Sequence, residues 1–286
     1  IRNYTLKTIK GYKNNILHLA NFLEREFQVN QLEEVTLPKI KSFLKHQQSK
    51  KCKGSYLNGL IKSFRTFFKY AHQEGYMKEN FILDLKWLRE EKPMIYTFSK
   101  KEIKNMLNVY KGKDYLSIRN QTIIAILFDS GIRNYELCCL KNIDIKEEYI
   151  SIFGKGKKER IVPISNYLKK ILYQYERAKH SFFEDKTVNS IYYLLSRTGR
   201  PLTNSVLEKI VRDAGEQAQV TDRIRCSPHT CRHTFAQQQL QNGLDLYSLM
   251  RLMGHNNISI TQRYLDSMQD NDILKKSMGT SPLMNL

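Results

Sequence analysis

The chain has 286 residues, 41% hydrophobic and 11% aromatic, which is enough to fill the cores of two ordinary domains and argues against an intrinsically disordered protein. Its 47 Lys and Arg residues against 28 Asp and Glu residues give a formal net charge of +19, which suits a polyanionic partner or an anionic membrane surface and favours nucleic acid. No apolar run approaches the length of about 18 residues needed to span a bilayer, and five cysteines without CxxC repeats indicate neither a disulfide framework nor a zinc ribbon, so we expect a cytoplasmic protein.

The first 90 residues predict a small, basic unit of four helices. Apolar residues recur at three- and four-residue spacing from Ile9 to Phe27, which predicts a helix with one buried stripe. Gly75 is expected to end the third helix in a left-handed conformation. The four predicted helices are residues 3–27, a short helix capped by Thr36, residues 55–74 and residues 80–88.

A second, mixed unit follows a predicted linker at residues 91–98, where charge and Pro93 interrupt the helical pattern. Ser99 and Glu102 form a capping-box pattern that opens a new helix, and residues 149–165 predict a β-hairpin with the tip "GKGKK". The other predicted helices are 114–131, 166–179, 203–216, 228–242, 245–253 and 259–265. The expected fold is therefore mainly α with a small β-sheet, in the α+β class.

The stretch "SPHTCRHTFAQ" (227–237) clusters residues with several possible chemistries. With Ser227 as N-cap, His229, Arg232 and His233 share one helical face, and Cys231 points elsewhere. A zinc site lacks the glutamate of HExxH and a third ligand, so no metal is expected. A thiol nucleophile lacks a histidine on its own face. A phosphate-binding site and a plain core helix remain open for this stretch alone.

Four further residues favour a functional role for that cluster. Arg133 follows a helix stop in "GIRNYEL", Lys155 lies at the hairpin tip, and His255 precedes Tyr264 by nine residues in "MGHNNISITQRYL". Along the chain, cations and imidazoles are thus followed by one candidate nucleophile. Such a set suits attack on a phosphodiester, whose non-bridging oxygens gain charge in the transition state.

The motifs "SGIRNYELCCLKNIDI", "FGKGKKERIVPI", "PHTCRHTFAQQQLQNGLDLYSLMRLMGH" and "TQRY" resemble, in order and spacing, the catalytic blocks of the tyrosine recombinases, also called phage integrases. The similarity is greatest to the Xer-like branch; it is weak over the first 90 residues and strong from residue 98 to about 270. It implies a helical, SAM-like core-binding domain at 1–90, a catalytic domain at 99–270, and a tail at 271–286 that docks on a neighbouring protomer.

The resemblance also implies how the substrate phosphate is held. Arg133 and Arg232 match the arginine pair of the family, and each guanidinium offers a bidentate fork to the phosphate. His229 matches a residue that helps to accept or return the tyrosine proton. His255 matches a residue that hydrogen-bonds a non-bridging oxygen.

Two further roles concern the bonds that form and break. Tyr264 matches the nucleophile, and we expect neighbouring Arg and His charges to lower its pKa or assist its deprotonation. Lys155 matches the general acid that protonates the departing 5′ oxygen, with Lys157 and Lys158 as phosphate contacts. The phosphotyrosyl ester would conserve the bond's free energy, so no cofactor is expected.

The remaining assignments are supporting. Glu136 matches an acidic position that would orient Arg133 or Lys155, and His233 is expected to be a buried structural residue. The basic N-terminal helices would lie across the opposite face of a DNA duplex, with the linker closing a clamp. The expected major-groove residues on the third helix are Lys62, Arg65 and Lys69.

The expected function is site-specific recombination between short double-stranded DNA sites, through a 3′-phosphotyrosyl intermediate and a Holliday junction. The enzyme would be a monomer or weak dimer that assembles into a homotetramer on DNA, associated with the nucleoid and not with a membrane. Two alternatives stay open: DNA relaxation of the type IB topoisomerase kind, which needs no partner duplex, and a catalytically silent DNA-binding regulator.

Overall fold

The computed structural model describes residues 4–90, 94–154, 159–186 and 188–265. The chain divides into two compact units, Ile1–Pro93 and Met94–Leu286. Lys155, Lys157, Lys158 and the tail at 271–286, for which the sequence predicts roles, lie outside the described residues. Within the part that is described, no helix combines the length and apolar character needed to cross a membrane.

The first unit packs three helices, α1 (Leu6–Phe27), α2 (Leu37–Ser49) and α3 (Gly54–Gln73), around an aromatic and aliphatic core. The predicted buried stripe of α1 is confirmed only for its second half: Leu19 and Leu23 are buried, but Ile9 is 50% and Phe27 is 40% exposed. The predicted stop at Gly75 is confirmed, with φ of 79°. There, the backbone N–H of Tyr76 donates to the Ala71 carbonyl at 2.9 Å, as in a Schellman motif.

The helix predicted at residues 80–88 is wrong, because only Phe81–Asp84 form a short 3₁₀ turn. Side chains of α3 satisfy the backbone of this segment instead. The Asn58 amide pairs with both the N–H and the C=O of Leu88 at 2.9 Å, and Arg65 donates to the carbonyls of Leu83 and Leu85. Backbone groups that find such partners do not need an α-helix.

The second unit contains a two-stranded antiparallel sheet and eight helices among its described residues. The strands are β1 (Tyr149–Phe153) and β2 (Glu159–Pro163), paired so that Tyr149 faces Pro163. The helices are α4 (Lys100–Val109), α5 (Tyr115–Ser130), α6 (Asn134–Cys138), α7 (Asn166–Phe183), α8 (Asn204–Gln217), α9 (Pro228–Gln241), α10 (Leu246–Met253) and α11 (Ile258–Leu265). This arrangement confirms the expected α+β class.

Local signals locate most helix ends in this unit as predicted. Ser99 and Glu102 form the capping box of α4, and α5 ends at Gly131 in the left-handed region. Helix α7 runs past its predicted end at residue 179, because Phe182 and Phe183 pack against Tyr115 at ring-centroid distances of 4.5 and 5.3 Å. Helix α5 is the centre of the core, with apolar residues buried around its circumference.

Candidate active site

Helix α9 contains the cluster noted in the sequence, and the residues of the cluster differ in how deeply they are buried. The hydroxyl of Ser227 accepts from the Thr230 N–H at 3.3 Å and caps the helix. Cys231 is fully buried in the main core, and burial raises the pKa of its thiol, which excludes it as a nucleophile. Arg232 is only 3% exposed, His233 is half-buried and His229 is exposed.

The guanidinium of Arg232 is held by three groups from other parts of the chain. It donates through Nη1 to the Gly131 carbonyl at 2.5 Å, and through Nη2 to the Met253 carbonyl at 2.6 Å and His255 Nε2 at 3.0 Å. Burial and the neighbouring charges lower the pKa of Arg232 to about 9, so the group remains charged at neutral pH. The charge is thus fixed in one orientation.

Arg133, just beyond the end of α5, lies beside this group. Its Nη2 donates to the Gly254 carbonyl at 3.1 Å and its Nη1 to Glu136 Oε1 at 2.8 Å. The side chain is 40% exposed, so its remaining N–H groups are open to solvent or a ligand. The structure therefore brings together the two arginines that the sequence predicts as a pair.

Glu136 has a second partner that sequence reasoning missed. Arg160, on β2, makes a bidentate pair with its carboxylate at 3.0 and 2.6 Å and donates through Nε to the Leu252 carbonyl at 2.9 Å. Burial alone would raise the pKa of Glu136, but hydrogen bonds and charges from Arg160 and Arg133 outweigh burial and lower it. Strand alternation was an available signal, because Arg160 shares the face of the buried Val162, two positions away.

The end of α10 binds all three guanidinium groups. Its successive carbonyls accept as follows: Leu252 from Arg160, Met253 from Arg232, and Gly254 from Arg133. The last carbonyls of a helix lack intrahelical partners and carry partial negative charge, so cations are favoured there. The helix terminus thereby concentrates positive charge at one place in the fold, where only Arg133 of the three is substantially exposed.

His255, directly after this terminus, is neutral with a defined tautomer. Its Nε2 must accept from Arg232, since a guanidinium only donates. Its Nδ1 therefore carries the proton and donates to Thr261 Oγ1 at 2.9 Å. Burial and the charges of Arg232, Arg133 and Arg160 lower the pKa of His255 to about 4. Its predicted hydrogen bond to a phosphate oxygen stays a prediction.

Tyr264, on α11, is 4% exposed and lies against α9. Its hydroxyl is 3.0 Å from Nδ1 of His233, the residue expected to be a buried structural support, and His233 is half-buried here. Burial raises the pKa of Tyr264, although Arg232, Arg263 and Arg133 act in the opposite direction. The neighbouring arginines therefore act in the expected direction, but burial outweighs them in the free chain.

The predicted groove residues of α3 differ from one another. Lys62 and Lys69 are exposed. Arg65 is half-buried, donates to the carbonyls of Leu83 and Leu85, and stacks over Trp87 at 4.7 Å. The expectation that Arg65 contacts DNA is therefore revised, because its guanidinium is used to hold the segment after α3.

No group of three or more His, Cys, Asp or Glu side chains suited to a metal ion occurs among the residues that the structure describes. The His229 and His233 rings pack against each other at 4.2 Å. The chemistry that this site supports is stabilisation of an anion by guanidinium groups beside a tyrosine hydroxyl.

Two family models match the chain. One, described as the phage integrase family, matches residues 97–270, and the other, a phage integrase SAM-like domain, matches residues 2–87. Among curated relatives, tyrosine recombinase XerC of Anoxybacillus flavithermus is 32% identical over 94% of this chain and 90% of its own length. XerC of Bacillus pumilus is 30% identical over 94% of this chain and 88% of its own.

Solved structures show the same fold at lower identity. The XerH site-specific recombinase bound to a palindromic difH substrate, in a post-cleavage complex, aligns with a TM-score of 0.78 at 19% identity, covering 99% of this chain and 82% of that one. A lambda integrase dimer bound to a COC′ core site aligns with a TM-score of 0.72 at 15% identity, covering 93% and 90%.

Proposed function

The chain belongs to the phage integrase family and is a site-specific tyrosine recombinase, and from this premise we propose that Tyr264 is the nucleophile that joins it to DNA. The observation that supports the assignment is the meeting of Arg133 and Arg232 on consecutive carbonyls of one helix terminus. These arginines come from distant parts of the sequence, and His255 and α11 follow that terminus directly.

In the proposed cleavage step, the Tyr264 oxygen attacks the scissile phosphorus and its proton passes to a histidine of α9. The bond from Oη to phosphorus forms as the bond from phosphorus to the 5′ oxygen breaks. Arg133 and Arg232 stabilise the charge that develops on the non-bridging oxygens. Lys155 gives the leaving 5′ oxygen its proton. The products are a 3′-phosphotyrosyl ester and a free 5′ hydroxyl, which attacks a second ester to rejoin the strands.

The proposed substrate is a pair of short duplex DNA sites recombined through a Holliday junction. Residues 1–90 would form a core-binding domain that places Lys62 and Lys69 on the phosphates, with Lys157 and Lys158 as contacts from the hairpin tip. Residues 99–270 would form the catalytic domain, joined to the first domain by the linker at 91–98. The net charge of +19 supports a large phosphate contribution to affinity.

We further propose that the enzyme works as a homotetramer on DNA, in the nucleoid of a bacterial-type cytoplasm. The tail at 271–286 would dock on a neighbouring protomer and link the active sites. Deletion of residues 272–286 should reduce cooperative assembly in a DNA mobility-shift titration while leaving binding of the first protomer intact. Unchanged cooperativity would count against this role for the tail.

The direct test is covalent trapping on nicked suicide duplexes made from the DNA that flanks the gene. Wild-type protein should form a denaturant-resistant adduct, and Tyr264→Phe should form none although it still binds the duplex. An adduct that persists in Tyr264→Phe would refute the nucleophile assignment. No adduct on any such duplex would instead favour a silent regulator.

The relatives described above carry recombinase or integrase names, which favours recombination over DNA relaxation alone. A relaxation assay separates the two activities, since a topoisomerase acts on any supercoiled plasmid without a partner site. We expect relaxation, if it occurs, to require the cleaved sequence.

A further inference from the structure

The contact between His233 and Tyr264 joins the candidate nucleophile to a titratable group. His233 Nδ1 lies 3.0 Å from the Tyr264 hydroxyl, with ring centroids 5.5 Å apart. That separation is within the range required for proton transfer to a general base. The His229 ring, one helical turn earlier, packs instead against the His233 ring at 4.2 Å.

The surroundings of His233 keep its ring neutral. It faces His229 and Arg232 from its own helix and Arg263 and Tyr264 from α11. Burial and these cations lower the pKa of His233 to about 4. A neutral imidazole has one nitrogen lone pair, so Nδ1 is able to accept the hydrogen bond of the tyrosine hydroxyl.

Tyr264 needs such an acceptor, because burial raises the pKa of its phenol. Electrostatic help from the arginines does not by itself release the proton at neutral pH. A phosphate that binds beside Arg232 adds negative charge near His233 and raises the pKa of the imidazole, which makes it a stronger base when the substrate is present.

We propose that His233, rather than His229, is the general base that takes the Tyr264 proton during strand cleavage. The inference rests on the proposed function, in which Tyr264 is the nucleophile. As Oη bonds to phosphorus, its proton passes to His233 Nδ1, and the departing 5′ oxygen takes a proton from the general acid. In rejoining, the attacking 5′ hydroxyl gives its proton back to the general acid and the imidazolium returns its proton to the departing phenolate, so that the cycle balances.

The test measures single-turnover adduct formation on a suicide duplex that the wild-type enzyme cleaves, with His233→Asn as the variant. Asparagine offers an oxygen near the position of Nδ1 but cannot take the proton. We expect cleavage to slow by roughly 10²–10⁴-fold, the usual contribution of a general base. His180→Asn, at an exposed position on α7, is the matched control and should cleave at the wild-type rate.

A ring-fluorinated tyrosine at position 264 shows whether His233 acts as a general base or only supports the structure. The fluorinated phenol is more acidic and depends less on a base. In His233→Asn it should therefore raise the cleavage rate by about tenfold or more, and in the otherwise wild-type enzyme it should change that rate by under about threefold. His229→Asn should show no such recovery. His233→Gln serves as a second variant if thermal melting shows that His233→Asn is unfolded.

Three results would overturn the assignment: His233→Asn that cleaves within about threefold of wild type, a loss that fluorination leaves unchanged, or recovery that appears with His229→Asn instead. The failure of the proposed function looks different. In that case wild-type protein forms no adduct on any duplex, or Tyr264→Phe still forms one.

Discussion

Single carboxylate and imidazole groups decide how the candidate site holds its positive charge. Glu136 accepts from both Arg133 and Arg160, while Arg232 rests on backbone carbonyls and on His255. One carboxylate thus neutralises part of the charge and leaves the rest available for a phosphate. The pairing of Glu136 with the arginines therefore stabilises the free enzyme, and the same pairing reduces the positive charge that attracts an anion.

The buried pair between Glu136 and Arg160 should be costly to break. Arg160→Met removes a nearly buried partner and leaves the carboxylate with Arg133 alone, so we expect the free energy of unfolding to fall by about 3 kcal/mol in chemical denaturation. Arg197→Met, at an exposed position, is the matched control and should change it by under about 0.5 kcal/mol. Equal effects of the two substitutions would contradict the structural role of Arg160.

Stability should also depend on the neutral histidines. The pKa values of His233 and His255 are about 4 in the folded chain and near 6.5 when unfolded. The unfolded chain therefore binds more protons between these values, and stability is lost as pH falls from about 6.5 to 4. The double variant His233→Asn, His255→Asn should lose less stability than wild type when denaturation at pH 7 is compared with pH 5.

The loss of stability between pH 7 and pH 5 should be smaller in the double variant but not abolished. The reason is that the pKa values of His18 and His229 are also lowered in the folded chain. His180→Asn, in an exposed position, should keep the wild-type decline. A double variant with an undiminished decline would show that the two site histidines are not held neutral by the fold.

At the scale of elements, two helix ends build the site. Helix α5 ends at Gly131, whose carbonyl accepts from Arg232, and α10 ends at Gly254, whose carbonyl accepts from Arg133. Both glycines have positive φ, 57° and 62°. Because glycine adopts this conformation without strain, the chain can turn sharply and present a carbonyl to each arginine.

Gly131→Ala tests the first of these ends. A β-carbon there meets the ring of Phe235 at less than contact distance and sits in the left-handed region. We expect a loss of about 2 kcal/mol or more in thermal or chemical denaturation. Gly59→Ala, in the exposed interior of α3 with no atom within 4 Å of the new carbon, should instead stabilise by roughly 0.5–1 kcal/mol. A neutral Gly131→Ala would contradict the packing at this turn.

The same elements show what the sequence could predict. Capping residues and glycine stops act locally, so Ser99, Gly131 and Gly254 mark helix ends that the structure confirms. The segment at 80–88 could not be predicted in this way, because Asn58 and Arg65, more than fifteen residues earlier, satisfy its backbone.

The same distinction between local and three-dimensional signals holds for the residues of the site. Spacing and motif order predicted that Arg133, Arg232, His255 and Tyr264 would lie together. The hydrogen bond between His233 and Tyr264, and the one that Arg160 donates to the Leu252 carbonyl, depend on how α9, α10, α11 and β2 pack in three dimensions. No pattern within one segment encodes such contacts.

Across the whole molecule, the excess of 19 positive charges should dominate DNA binding. Each neutralised phosphate releases counterions, so the logarithm of the binding constant should fall linearly with the logarithm of salt concentration, with a slope of about −0.9 per contact. Fluorescence anisotropy with a duplex oligonucleotide at several salt concentrations measures this slope.

Three substitutions on α3 refine that prediction. Lys62→Gln and Lys69→Gln should each weaken binding and make the slope shallower by about 0.9. Arg65→Gln should leave the slope unchanged and lower the stability of the first unit, since its guanidinium binds backbone carbonyls there. If Arg65→Gln made the slope shallower and the two lysine variants did not, Arg65 would be the residue that contacts DNA phosphates and the lysines would not.

Mass spectrometry of the trapped protein–DNA adduct, after digestion with nuclease and trypsin, identifies the residue that is joined to DNA. Cleavage after Arg263 releases the peptide that begins at Tyr264 and ends at Lys275. We predict a nucleotide joined through its 3′ phosphate to Tyr264 of this peptide and a free 5′ hydroxyl on the cleaved strand. A nucleotide on any other residue, or a 5′-phosphate link, would contradict it.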